Sequence, residues 1–132
     1  MKKISIKTIM TILFCLYIAA IILLCFMKTD SVPDVQFTLF GIPADKLVHF
    51  CMFAPYPVLA FQAFHPKDGS VWREAVVLTV LVILGIGLAY GTEQIQGITD
   101  YRSYEIADFY ADSTGIAAGT VLILIQMAFR KR

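Results

Sequence analysis

From Thr8 to Met27 the chain runs without a single charged side chain. That is the length a helix needs to cross the hydrocarbon of a bilayer. Three more stretches of similar length and polarity follow, at about residues 46–64, 75–96 and 108–129. In 132 residues, four such stretches leave room for little else. Apolar residues make up 58% of the chain and charged residues 16%, too much oil for a body this small to hide from water. The composition excludes a soluble enzyme, a disordered chain and a disulfide scaffold. A net charge of +1 gives a general nucleic-acid binder no support either. The expected fold is all-α, a single polytopic membrane domain of four transmembrane helices.

Lys2, Lys3 and Lys7 ahead of an apolar run also describe a signal peptide. The run is long for that, and no small-x-small site precedes Met27-Lys28, so an uncleaved first span is expected. Basic residues set the orientation. With both termini cytoplasmic, Lys2, Lys3, Lys7, Lys67, Arg73, Arg130, Lys131 and Arg132 lie inside, while Lys28, Lys46 and Arg102 lie outside; 8 and 3 make up the 11 basic residues. The turn from His65 to Ser70 carries Pro66 and Asp68-Gly69, a signal for joining antiparallel spans. The outer connection 28–44 has an apolar middle suited to the bilayer surface. Cys15, Cys25 and Cys51 have no CxxC spacing and read as small hydrophobes, although Cys25 and Cys51 fall at similar depth.

Most residues that are costly to place near lipid fall at one level, the outer ends of spans two to four. Span two opens with Asp45-Lys46-x-x-His49, span three closes with Glu93-x-x-Gln96, Arg102 lies in the next loop, and span four opens with Asp108-x-x-x-Asp112. Polar side chains in membrane helices usually face the bundle interior and mark function. Asp45 and Asp108 also suit helix N-termini, Lys46 suits the headgroup level, and His49 taken alone suits a core. Glu93 ends an uncharged run from Ala75 to Thr92 and needs a partner or a proton. Asp112 lies a turn inside span four. Spacing of four puts Asp45 beside His49 and Asp108 beside Asp112. Gly115-x-x-x-Gly119 continues the aspartate face, and Gly87-x-x-x-Gly91 lies at about the same depth of span three. Such seams let helix backbones meet, so spans three and four are expected to touch there. The arrangement is then a three-helix pocket open to the outside.

In that pocket, Lys46 and Arg102 would hold an anionic headgroup, His49 and Glu93 would form an acid–base pair, and Asp108 would orient Arg102 or His49. Asp45, Gln96 and Asp112 join the binding set. His49, Glu93, Asp108 and Asp112 are also donor types for a divalent cation. No HExxH, paired-histidine or CxxC spacing backs one, so neither metal nor cofactor is expected. A non-catalytic binder uses the same pocket. A transporter or proton path lacks polar stations across the inner halves of the spans, which offer only Gln62 and Gln126.

The string Asp45-Lys46-x-x-His49-Phe50, Glu93-x-x-Gln96, Arg102 and Asp108-x-x-x-Asp112-x-x-Gly115-x-x-x-Gly119 resembles the VanZ-like family of small bacterial membrane proteins. The resemblance covers Asp45 to Gly119, with one departure: the family usually has asparagine where Asp112 stands. It implies a multi-pass protein of the bacterial cytoplasmic membrane that acts on or binds an envelope lipid, a cell-wall precursor or a glycopeptide antibiotic. It also implies an association with teicoplanin resistance. The expected partner is membrane lipid, without nucleic acid.

Overall fold

The computed structural model describes residues 2–27, 38–99 and 105–130. Four helical stretches in it are long and apolar enough to cross a membrane: Ile6–Phe26, Ala44–Phe64, Val71–Ile98 and Ile106–Arg130. The protein is a multi-pass membrane protein of all-α class. Helix α1 (Ile6–Phe26) starts at Ser5, whose Oγ accepts the Thr8 backbone N–H at 3.1 Å. Only Ile21 and Cys25 of α1 are buried. The rest is an apolar surface, as a helix at the lipid margin requires. Phe14 seats it on the second span, its ring against Tyr56 and edge-on to Phe64.

Two short antiparallel strands, β1 (Thr38–Leu39) and β2 (Ile42–Pro43), precede the second span with Leu39 opposite Ile42. Their two-residue turn has positive φ at both Phe40 (52°) and Gly41 (76°), the backbone that a tight hairpin needs. Residues 28–37 of the outer connection lie outside the described residues.

The second span is two helices rather than one. Helix α2 (Ala44–Phe53) gives way to α3 (Pro55–Phe64) at Ala54. Pro55 and Pro57 each lack the N–H that would bond four residues back, so the ladder is interrupted. The Tyr17 hydroxyl of α1 donates to the Met52 carbonyl beside this break. The turn to α4 (Val71–Ile98) passes through Gly69 at φ +68°, with Asp68 accepting from the Ser70 N–H at 3.3 Å and from Arg73 at 2.6 Å. Helix α5 (Ile106–Arg130) is central and touches α2, α3 and α4. Phe53, Phe61, Ile116 and Ile123 fill the core between them, with Ile21 joining from α1. No disulfide joins Cys15, Cys25 and Cys51.

The glycines correct one expectation. A Cβ added to Gly87 or Gly91 would meet nothing within 4 Å, so among the described residues no neighbouring helix crosses there. The α5 glycines face the second span instead. A Cβ on Gly115 would lie 2.5 Å from the Phe50 carbonyl oxygen, and one on Gly119 would lie 2.8 Å from Cδ of Pro57. The physical reason is the Ala54 break: small backbone on α5 lets it lie directly against the second span where that span's own ladder is interrupted. Span three makes its close approach through Gly85, against the Tyr56 ring, whose hydroxyl donates to the Leu81 carbonyl at 2.8 Å.

Candidate functional site

Three helix ends meet at one end of the bundle: the start of α2, the end of α4 and the start of α5. His49 projects from the second turn of α2, buried, between two aspartates of α5. Its Nδ1 lies 2.8 Å from Asp112 Oδ1 and its Nε2 lies 3.4 Å from Asp108 Oδ2. The four-residue spacing on α5 sets those carboxylates one turn apart on the same face, so one ring is spanned by both. Glu93 reaches in from α4, with Oε1 3.9 Å from His49 Nδ1. Side chains distant in sequence thus meet at His49.

The cluster has two layers of different wetness. In the outer layer Lys46 bonds Asp108 Oδ1 at 2.5 Å and Asp45 Oδ2 at 2.7 Å, and it also donates to Glu105. Asp45 and Glu105 are exposed there. In the inner layer Glu93 is 1% exposed and Asp112 0%. Among the described residues, both oxygens of Glu93 and Oδ2 of Asp112 find no hydrogen-bond partner. Buried polar groups are normally paired, and those left over mark strain or function. The inner trio His49, Glu93 and Asp112 has one ligand-type atom from each residue, all within 4.8 Å of one another; Asp45, Glu105 and Asp108 form a second such group. The second group already encloses the ammonium of Lys46. Among the described residues, no lysine or arginine is bonded to the first.

Other residues singled out in the sequence lie elsewhere. Asp45 turns to Lys46 rather than to His49, and it is not the N-cap, since α2 is preceded by Pro43 with no side-chain cap bond. Gln96 is buried and its Nε2 donates 2.6 Å to the Cys25 carbonyl, tying the end of α4 to the last turn of α1. Arg102 lies outside the described residues. Two further acids, Glu105 and Glu74, take part in ion pairs. Glu105 sits three residues before Asp108, a spacing that could have placed both on Lys46. At the opposite end of the bundle Glu74 is buried and accepts 2.5 Å from Arg130 Nη2. Helix α4 begins at Val71, earlier than the expected start at 75, and so carries Glu74 inside the bundle. The expectation that the inner halves hold almost no ionisable group therefore fails at this pair.

A family model described as VanZ/LLP1 matches residues 12–128. Nothing matches among the curated proteins or the solved structures.

Proposed function

The chain belongs to the VanZ/LLP1 family, and we propose that its His49 cluster takes the polar headgroup of an envelope lipid or a lipid-linked cell-wall precursor. The excess of basic residues in the connections assigned inside supports an extracytoplasmic level for the cluster in a bacterial cytoplasmic membrane. The observation that carries the reading is Glu93: a carboxyl buried in a membrane helix, with neither oxygen bonded among the described residues, beside an imidazole at 3.9 Å. Such a group is costly unless something completes it. In this reading His49 and Glu93 exchange a proton with the headgroup. Asp108 orients the imidazole through Nε2, and Asp112 does so through Nδ1.

A second reading, a binder that performs no reaction, is favoured by those same contacts. Both imidazole nitrogens of His49 already face a carboxylate, so chemistry requires one of them to be released first. A glycopeptide antibiotic is a ligand class for that binder, by resemblance. Replacing Glu93 with Gln and His49 with Ala, with insertion confirmed, and comparing surface lipids and precursors by mass spectrometry tests the proposal. A species that wild type makes and both variants lack supports catalysis. Retained binding in Glu93→Gln without any product change supports the binder. Wild-type behaviour of both variants in every assay removes the reading.

A further inference from the structure

Two groups of acidic side chains occupy this end of the bundle, and among the described residues only one has a lysine or arginine bonded to it. Lys46 sits among Asp45, Glu105 and Asp108. The deeper group, His49 with Glu93 and Asp112, offers one imidazole nitrogen and two carboxylates, and among the described residues three of those four carboxylate oxygens find no hydrogen-bond partner. We infer that His49 Nδ1, Glu93 and Asp112 hold a divalent first-row cation, of which Zn2+ and Mn2+ are the probes.

The donor set argues for that class. Mixed imidazole and carboxylate ligation suits Mn2+ to Zn2+, whereas Ca2+ and Mg2+ prefer oxygen alone. The spacing is compatible. Nδ1 lies 2.8 Å from Asp112 Oδ1 and 3.9 Å from Glu93 Oε1, and atoms bound to one cation at about 2.1 Å are separated by about 3–4 Å. The surrounding contacts fit as well. A metal-binding histidine commonly gives its other ring N–H to a carboxylate, and Asp108 faces Nε2 at 3.4 Å while Lys46 holds Asp108 from behind at 2.5 Å. Cation ligation through Nδ1 leaves the ring proton on Nε2, toward Asp108.

The inference rests on the same cluster as the proposed function and changes what His49 and Glu93 do there. They hold a positive charge that faces the headgroup, in place of exchanging protons with it. Lipid products depend on both residues in either case, so the cation must be measured directly. Full-length protein, purified in detergent and stripped by chelation, is titrated with Zn2+ and with Mn2+ by equilibrium dialysis and elemental analysis. One equivalent is expected, together with a raised melting temperature. Asp112→Asn keeps the side chain's shape and should weaken binding at least tenfold, as should Glu93→Gln. Asp108→Asn, acting through His49, should weaken it by about tenfold or more. Asp68→Asn, at the opposite end, should leave binding unchanged. No saturable binding, affinity equal in wild type and Asp112→Asn, or a preference for Ca2+ over both probes overturns the site. If a lipid product still depends on His49 and Glu93 in that event, the headgroup reading survives without the cation. Saturable binding beside an unchanged lipid profile leaves the cation site standing and ends the headgroup reading.

Discussion

Gly119 meets Ala54 backbone to backbone: a Cβ on the glycine would run into the alanine's carbonyl oxygen. Helix α5 therefore rests on the second span at the place where that span is interrupted. Gly119→Ala and Gly115→Ala force the two apart and should lower stability by about 1–3 kcal/mol or more. Gly87→Ala and Gly91→Ala meet open space. They should be neutral or stabilising by up to about 1 kcal/mol, since alanine is the better helix former. Thermal denaturation of the four variants in one detergent gives the order. Equal losses at all four positions would contradict this packing.

The sequence is informative about depth and silent about partners. Four apolar stretches declare four spans because lipid admits little else, and His49, Glu93, Asp108 and Asp112 are conspicuous because polar side chains are rare in such stretches. A small-residue seam, by contrast, says that some backbone comes close without saying which. Gly115 and Gly119 could be read as a seam, but their partner depended on the Ala54 break, whose visible signals were Pro55 and Pro57. Glu74 is inconspicuous for a related reason. Its burial follows from α4 starting at Val71 and from Arg130 arriving at the end of α5, a tertiary fact no local pattern carries.

Lys46 is the one cation bonded to Asp45, Glu105 and Asp108 among the described residues. Lys46→Met leaves three acids in mutual repulsion at the mouth of the cluster, one of them the buried Asp108. A loss of about 1–3 kcal/mol is expected, with part recovered in the Lys46→Met, Asp108→Asn double variant. A double-mutant cycle measured by thermal unfolding checks the coupling; strict additivity would show that Lys46 does not serve Asp108.

Glu74 and Arg130 close the other end of the bundle. Arg130→Ala strands a buried carboxyl, while Glu74→Gln leaves a neutral group and an arginine that is already half-exposed. Arg130→Ala should therefore be the more destabilising, by about 1–3 kcal/mol, and adding Glu74→Gln to it should restore stability. Unfolding midpoints for the three variants decide this, and an unrepaired double variant would count against the pair.

Asp68 lies in the turn outside the spans. The Ser70 backbone N–H, and then Arg73, hold its carboxyl below the ordinary value of 3.8. A depressed folded value means that the contribution is complete above the unfolded value and disappears as pH falls through the folded one. Asp68→Asn should thus differ from wild type near neutrality and match it in strong acid. The Ser70 amide resonance should follow the same titration in wild type. An amide shift that titrates at or above the ordinary value would show that the turn contacts do not form.

Gln96 shows that a polar side chain in a span need not belong to the site beside it. Its Nε2 donates to the Cys25 carbonyl at 2.6 Å, within the last turn of α1, where helix carbonyls have no partner of their own helix. Gln96→Leu removes that donor inside the bundle and should cost about 1–3 kcal/mol. Gln96→Glu should cost more, because an ionised carboxylate has no proton to offer and repels the carbonyl. Glu93 and His49 do not touch this bond, so Gln96→Leu should leave binding of Zn2+ or Mn2+ intact once the protein is folded. Thermal unfolding together with cation titration of the two variants separates these outcomes. Loss of cation binding in a stable Gln96→Leu protein would place Gln96 in the cluster rather than at the foot of α1.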